Sequence, residues 1–451
     1  MGNAIRLAII GAGSAQFSIG LVRDICLTES LHGSTISFMD VDQGRLDLVY
    51  ALAGRYAAEV GAQLRFEKTT RREAALAGAE FVLNTALAGG HEHEEHERKT
   101  LEGLGYYRGL HLADFYRQFE LMLGVAQDME RLCPQAWLIQ SSNPVYEGCT
   151  LMTRETGTQV IGLCHGHYGY REIAQVLGLE LEQVTFEAPG VNHCIWMTHF
   201  RYRGQDAYPL IDRWLETQAQ EHWRTWKPHY GQTQMSPAAM QMYGLCGLVP
   251  IGDTSRGLWP EVWWYHLDVQ AKRRWWGPLG GFDSNEGWSI YLQDLARNLQ
   301  QIAEVAADPS RRVTEVFPPE KSDEQIVPII DALRNDRPGH FQVNVPNRGA
   351  LEGLPDDVVV EVPAMIDGMG IRPLHVGALP KPVMLGVIYP RWLAMERHLA
   401  AFLTGDRRYL MQLVMQDHRS TSWEHGERTL DTLLSLPGNE GLAEHYKSVA
   451  G

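Results

Sequence analysis

The segment Ile5–Phe17, "IRLAIIGAGSAQF", decides the fold. An apolar run passes directly into Gly11 and Gly13, and the chain then turns amphipathic in "FSIGLVRDICL". A strand entering a helix through a glycine turn opens a dinucleotide-binding unit. Gly11 permits the tight turn, and Gly13, with Ser14 beside it, lets a pyrophosphate approach the backbone at the helix N-terminus. The third glycine of that pattern is replaced by Gln16, so the motif needs support from its surroundings. Asp40 supplies it at the end of the next apolar run, "TISFMD". A carboxylate there accepts hydrogen bonds from the adenosine ribose diol and repels a 2′-phosphate, which favours NAD over NADP. Its plainer reading is a strand-end acid or helix cap. Asn84, in "FVLNTALAGG", is then placed near the nicotinamide ribose.

Outward from this segment, short apolar runs alternate with helix-like ones: "TISFMD", "RLDLVYALAGRYAAEV", "FVLNTA", a long stretch ending at "MERLCP", "AWLIQSS" and "QVIGLC". That order implies an α/β fold with a doubly wound parallel sheet. Residues 1–167 read as an NAD-binding Rossmann domain and residues 168–451 as a second, α+β domain that binds substrate and metal. In the second domain "CIWMTHFRYR" and "VVVEVPAMI" read as strands, and "PRWLAMERHLAAFLTG" as a helix.

A formal charge of −15 without a basic run argues against nucleic acid as a partner. No uncharged apolar stretch is long enough to span a bilayer, and the first residues lack a signal peptide's order, so a cytoplasmic protein is expected. The six cysteines show no C-x-x-C pairing, which fits neither a disulfide framework nor a structural zinc site. The thirteen tryptophans, crowded in "LWPEVWWYH" and "RRWWGP", read as core and subunit interface in preference to a sugar platform. A homodimer or homotetramer is expected.

Three further segments carry chemistry. Asn143 and Pro144 of "QSSNPV" follow a strand, at the carboxyl end where open α/β sheets bind ligands, although Asn-Pro also starts ordinary turns. Cys164 ends "QVIGLC", and His193 stands in "PGVNHCIW". A thiolate with one imidazole leaves most of a divalent ion's coordination sphere open, as a catalytic metal requires, while two unrelated core residues are the plainer reading. The run "HEHEEHERK" fails the H-E-x-x-H spacing and reads as a charged, solvated helix face, with His91 the one member that might face a site.

Taken in order across nearly the whole chain, "GAGS", Asp40, "NP", "CHGHYG", "GVNH" and "IGDTSR" resemble glycoside hydrolase family 4, the NAD- and manganese-dependent glycosidases whose fold is similar to that of lactate and malate dehydrogenases. The resemblance implies that Cys164 and His193 hold Mn2+, that Asn143 lies against the sugar hydroxyls, and that Asp253 and Arg256 reach the site from the second domain. It also implies an unusual reaction, outside the two-carboxylate scheme of most glycosidases. NAD+ takes hydride from C3, a base removes the acidified C2 proton, the aglycone is eliminated, water adds, and the hydride returns.

The phospho-glycosidases of that family place Asp or Asn after the metal-binding cysteine and use a tyrosine base. Here His165 follows Cys164, and no tyrosine matches. Asp253, or a metal-bound hydroxide that it orients, is the expected base, and Arg256 offers Asp253 a plain structural partner. His165, or His111 or Asp114 of the 91–114 segment, is the expected acid. "CHGH" resembles the uronide-cleaving branch, so the expected substrate is an α-galacturonide, then an α-glucuronide, then an α-glucoside, with Arg256 pairing the sugar carboxylate. A 2-hydroxy-acid dehydrogenase shares the "NP" and dinucleotide motifs, but the chain has no "GEHGD"-like segment. An NAD-binding regulator leaves Cys164, His193 and Asp253 unexplained.

Overall fold

The computed structural model describes residues 2–14, 18–226, 233–255, 269–276 and 284–446. Six strands, β1 (Arg6–Ile10), β2 (Thr35–Met39), β3 (Arg65–Thr69), β4 (Phe81–Asn84), β5 (Trp137–Gln140) and β6 (Gln159–Gly162), pair in parallel in the order β3-β2-β1-β4-β5-β6. This is the strand order of a dinucleotide-binding fold, and the expected doubly wound sheet is present.

Alternation along β1 shows how the sheet is covered on both faces. Leu7 and Ile9 pack with Leu46, Val49 and Leu52 of α2 (Gln43–Val60). Ala8 and Ile10 pack on the other face with Met122, Val125 and Met129 of α5 (Ala113–Leu132). A strand stretch buried on both faces must be apolar, as Leu7–Ile10 is; Arg6, at the start of β1, is only partly buried. Asp42 caps α2 by accepting the Arg45 N–H at 3.0 Å, and Gly61 closes it in the left-handed region at φ 74°.

Beyond β6 the sheet continues antiparallel through β13 (Gly339–Pro346), β14 (Val359–Asp367), β8 (Gly190–Val191), β9 (Cys194–Met197) and β12 (Val249–Ile251), with β15 (Gly370–Pro373) also on β14. The joints on either side of the β13–β14 pair are narrow: Asn344 of β13 pairs with Gly162 of β6, and Glu361 of β14 with Gly190 of β8. A second sheet holds β7 (Val184–Glu187), β10 (His199–Tyr202) and β11 (Gln205–Asp206). "CIWMTHFRYR" is therefore two strands, broken at Thr198 and divided between two sheets, because β9 pairs with β8 and β12 while β10 pairs with β7. Among the described residues no helix is long and apolar enough to cross a membrane.

Parallel strands bring Gly11, Asp40, Asn84, Asn143 and Cys164 to one edge of the sheet, each at or just beyond a strand's carboxyl end. Beneath Asn143, α6 (Val145–Glu155) carries Glu147, whose carboxylate forms an ion pair at 2.5 Å with Arg391 of the helix Tyr389–Thr404. Both side chains are almost completely buried. Breaking such a pair strands one charge, whereas replacing both partners removes the desolvation cost. Arg391→Met is predicted to destabilise the protein by about 3–5 kcal/mol. Thermal unfolding should show Glu147→Leu/Arg391→Met recovering much of that loss.

Candidate active site

At the dinucleotide edge, Gly11 adopts φ 84°, and a Cβ on it would lie 2.6 Å from the Ala86 backbone. Its N–H and that of Ala12 both donate to the Met39 carbonyl, at 2.9 and 3.0 Å, and Ser14 N–H donates to the Gly11 carbonyl. Gly13 serves Asp40 here: its N–H donates to the carboxylate at 2.8 Å, and a Cβ would collide with the same oxygen. Asp40 also accepts the Asp42 N–H at 2.9 Å. A carboxylate oxygen accepts more than one hydrogen bond, so capacity for a ribose diol remains. Gln16 lies outside the described residues.

Asn84 differs from its expected role. It is fully buried, donates to Gln140 Oε1 at 3.0 Å and accepts the Ala86 N–H at 3.2 Å. Gln140 in turn donates to Ser142, and Gln118 bridges Ser142 to the Ala86 carbonyl. Asn84 thus fixes the loops after β4 and β5 and does not itself present a face to a nucleotide. Asn143, joined to Pro144 by a cis peptide, is exposed at that edge.

The second half of the site is built by three turns. The β8–β9 hairpin turns at Asn192–His193, and His193 sits in the left-handed region at φ 63°. For a residue with a Cβ that conformation is strained and is met mostly at functional turns. After β12 the chain enters Gly252–Ser255, where Thr254 accepts the Ile195 N–H at 2.8 Å and donates to the Ile251 carbonyl at 2.7 Å. Gln234 grips Gly252 from both sides, accepting its N–H at 2.8 Å and donating to its carbonyl at 3.0 Å. Gly252, at φ 64°, then abuts the Cys164 loop so closely that a Cβ would come within 2.4 Å of Gly166 Cα.

These contacts bring Cys164, His193 and Asp253 together, with one ligand atom from each lying within 4.8 Å of the others. His193 Nε2 stands 3.1 Å from Asp253 Oδ2. Asp253, expected as the base, is thereby also among the residues that could hold a metal ion. Burial pushes the Cys164 thiol well above its ordinary range, and the charges of Glu361 and Asp253 push it further, against hydrogen bonds from the Gly166 backbone and the Asn192 side chain. Burial raises Glu361 to about 7, opposed by the polar side chains of Asn192, Asn344 and Gln342, while the Asp253 charge adds to the rise. Concentrated negative charge around one imidazole is a setting that a divalent cation relieves.

His165 is half exposed, with Nδ1 2.9 Å from Glu324 Oε1. Burial draws its pKa down, but the hydrogen bond and charge of Glu324, with a contribution from Asp253, outweigh burial and raise it. A small cavity bounded by Ser141, Cys164, His165 and Glu324 lies beside it. His167 is buried, and burial followed by the His165 charge lowers it to about 4. It is a neutral core imidazole. His111 and Asp114 pair at 2.8 Å at the start of α5. Arg256 lies outside the described residues, as do "LWPEVWWYH" and part of "RRWWGP".

The "HEHEEHERK" run forms part of α4 (Gly90–Gly103), but it is not a uniformly solvated face. Glu97 is buried, binds Arg117 through both oxygens and accepts from Asn439. His91 packs against Trp288 and Tyr291. Asn192, Thr254, Gln234, Glu324 and Glu361 are site residues that sequence reasoning did not single out. The one visible signal was an acid inside the apolar run "VVVEVPAMI".

With this geometry in view, residues 6–179 match the model described as "Family 4 glycosyl hydrolase" and residues 188–420 its C-terminal domain. The chain belongs to glycoside hydrolase family 4. Relatives include an α-galacturonidase of Thermoanaerobacterium saccharolyticum, 24% identical over 84% of each chain. An α-glucosidase of Erwinia rhapontici is 23% identical over 96% of this chain and 98% of its own. Among solved structures, the lplD protein of Bacillus subtilis superposes with a TM-score of 0.81 at 22% identity, covering 96% of this chain and all of the other. A family 6-phospho-α-glucosidase from gut microorganisms, in complex with NAD and Mn2+, gives 0.76 at 18% identity over 99% and 100% of the two chains. A malate dehydrogenase of Plasmodium falciparum gives 0.51 at 14% identity over 89% and 99%, in keeping with the expected dehydrogenase-like fold.

Two predictions arise from this arrangement. Gly252→Ala should abolish the rise in melting temperature produced by Mn2+ while leaving NAD+ binding intact; Gly166→Ala, whose added carbon meets nothing closer than 3.5 Å, should be far milder. Differential scanning fluorimetry with each ligand compares them. Because the raised Cys164 thiol must lose its proton to bind, metal affinity should fall as pH is lowered through neutrality, and calorimetry in buffers of different ionisation enthalpy should register proton release.

Proposed function

We propose that the protein is an NAD+- and Mn2+-dependent glycosidase that cleaves α-linked galacturonides. The observation that carries this reading is the meeting of Cys164, His193 and Asp253 at the carboxyl edge of a dinucleotide-binding sheet. One thiolate, one imidazole and one carboxylate are donors for a transition-series dication and leave coordination positions for sugar hydroxyls. Bound there, NAD+ supplies reversible hydride removal from a ring carbon, and the cation supplies Lewis-acid polarisation of the resulting ketone.

The chain's own residues divide the remaining work. Asn143, exposed beyond β5, orients the sugar hydroxyls. Asp253 takes the C2 proton or directs a water that does so, and His165, or the paired His111 and Asp114, protonates the departing oxygen. Asp40 holds the adenosine ribose and selects against NADP. The "CHGH" sequence resembles the uronide-cleaving branch, and several relatives carry the name α-galacturonidase. Arg256, three residues beyond Asp253 in the chain, is the cation proposed to pair with the sugar carboxylate. The net charge of −15 does not oppose an anionic substrate, since salt screens it beyond about 8 Å. An α-glucuronide differs by one hydroxyl at C4 and is the second choice, with a neutral α-glucoside third.

Turnover in heavy water with NAD+, Mn2+ and thiol should place deuterium at C2 of the released sugar, because elimination breaks that C–H bond. Sugar released without C2 label would contradict the elimination route. Nitrophenyl α-glycosides of galacturonate, glucuronate, glucose and galactose should be cleaved fastest for galacturonate. Faster cleavage of either neutral sugar would overturn the uronide assignment.

A further inference from the structure

Glu361 stands in the interior of β14, among valines, with 1% of its surface exposed. A valine there would incur no desolvation penalty, so the carboxylate calls for a compensating role. Its register partners are Asn344 on β13 and Gly190 on β8, the strands that lead respectively to the Cys164 strand and to the Asn192–His193 turn. Glu361 Oε2 accepts from Asn192 Nδ2 at 3.0 Å and stands 3.4 Å from Asn344 Nδ2. Oε1 is buried without a hydrogen-bond partner among the described residues.

Asn192 is 2% exposed and precedes His193 directly. Its amide nitrogen carries two hydrogens. One is held by Glu361. The geometry points to Glu361 as a positioning residue of the metal centre, a buried carboxylate that fixes the Asn192 amide and, through it, the His193 turn. The inference rests on the reading of Cys164, His193 and Asp253 as the metal-holding group. Asn344 alone does not account for the carboxylate, because that contact is long and Asn344 also reaches the Gly162 carbonyl at 3.4 Å. Partners that orient a metal ligand in this way set the affinity of the site without touching the ion.

The test is a Co2+ titration of the full-length protein, following the thiolate-to-cobalt charge-transfer band, with affinity measured by competition against a chelator. Retained NAD+ binding and far-ultraviolet circular dichroism report the fold. Glu361→Gln should weaken Co2+ binding by about ten- to a hundredfold and alter the band. Asn192→Ala should do the same, and the double variant should lose no more than the weaker-binding single variant, because both changes cut one linkage. If Glu361→Gln does not fold, Asn192→Ala decides: a lost or shifted band supports the linkage and an unaltered one overturns it. Affinity within about twofold of wild type in a folded Glu361→Gln, or losses that multiply in the double variant, overturns the role of Glu361. A wild-type protein that binds Co2+ without a band abolished by Cys164→Ser overturns the metal reading and this inference with it.

Discussion

Gly252 sets how closely two loops of the site can approach. Its backbone lies against Gly166 with no room for a side-chain carbon, and Gln234 holds its peptide groups in place. Only that approach lets a carboxylate beyond β12 and a thiol beyond β6 meet the imidazole of the β8–β9 turn. Cys164 follows β6, which β13 and β14 separate from the β8–β9 turn, whereas β12, which leads to Asp253, pairs directly with β9. Thr254, bonded to Ile195 on β9, supplies the second constraint and ties the Asp253 turn to the strand that follows His193.

Close approach has an electrostatic consequence. A thiol, a carboxylate and a buried glutamate surround one imidazole, and burial and mutual repulsion raise both Cys164 and Glu361 above their ordinary ranges. A dication converts that repulsion into attraction, which is why the same cluster that would burden a plain core suits a metal centre. The parallel half of the sheet supplies the other reactant edge. Its loops are cross-linked by the Asn84, Gln140, Ser142 and Gln118 bonds, so a dinucleotide edge and a metal cluster face each other across rigid elements.

The Rossmann half was legible because strands buried on both faces are continuous apolar runs and its glycine turn is a local signal. The edge strand Arg65–Thr69 was not, since its partly exposed, polar "RFEKT" carries no apolar pattern. The strand Gly339–Pro346 was hidden in the same way by Gln342 and Asn344, polar side chains buried inside the sheet. Of the site, Cys164, His193 and Asp253 were visible as an ordered set only through family resemblance; their spacing in the chain carries no geometric information. The bracing bonds of Asn84 were not legible, because a strand-end asparagine reads alike whether it faces a ligand or braces a loop. Glu361 went unremarked although an acid among valines is itself a signal of a buried partner.

The central claim is that one thiolate and one imidazole of this chain bind the catalytic cation. X-ray absorption spectroscopy of the Co2+-loaded protein at the cobalt edge tests it most directly. The account predicts one sulfur and one imidazole in the first coordination shell, with oxygen donors completing it and the sulfur lost in Cys164→Ser. A shell of oxygen and nitrogen alone, unchanged by that substitution, would contradict it.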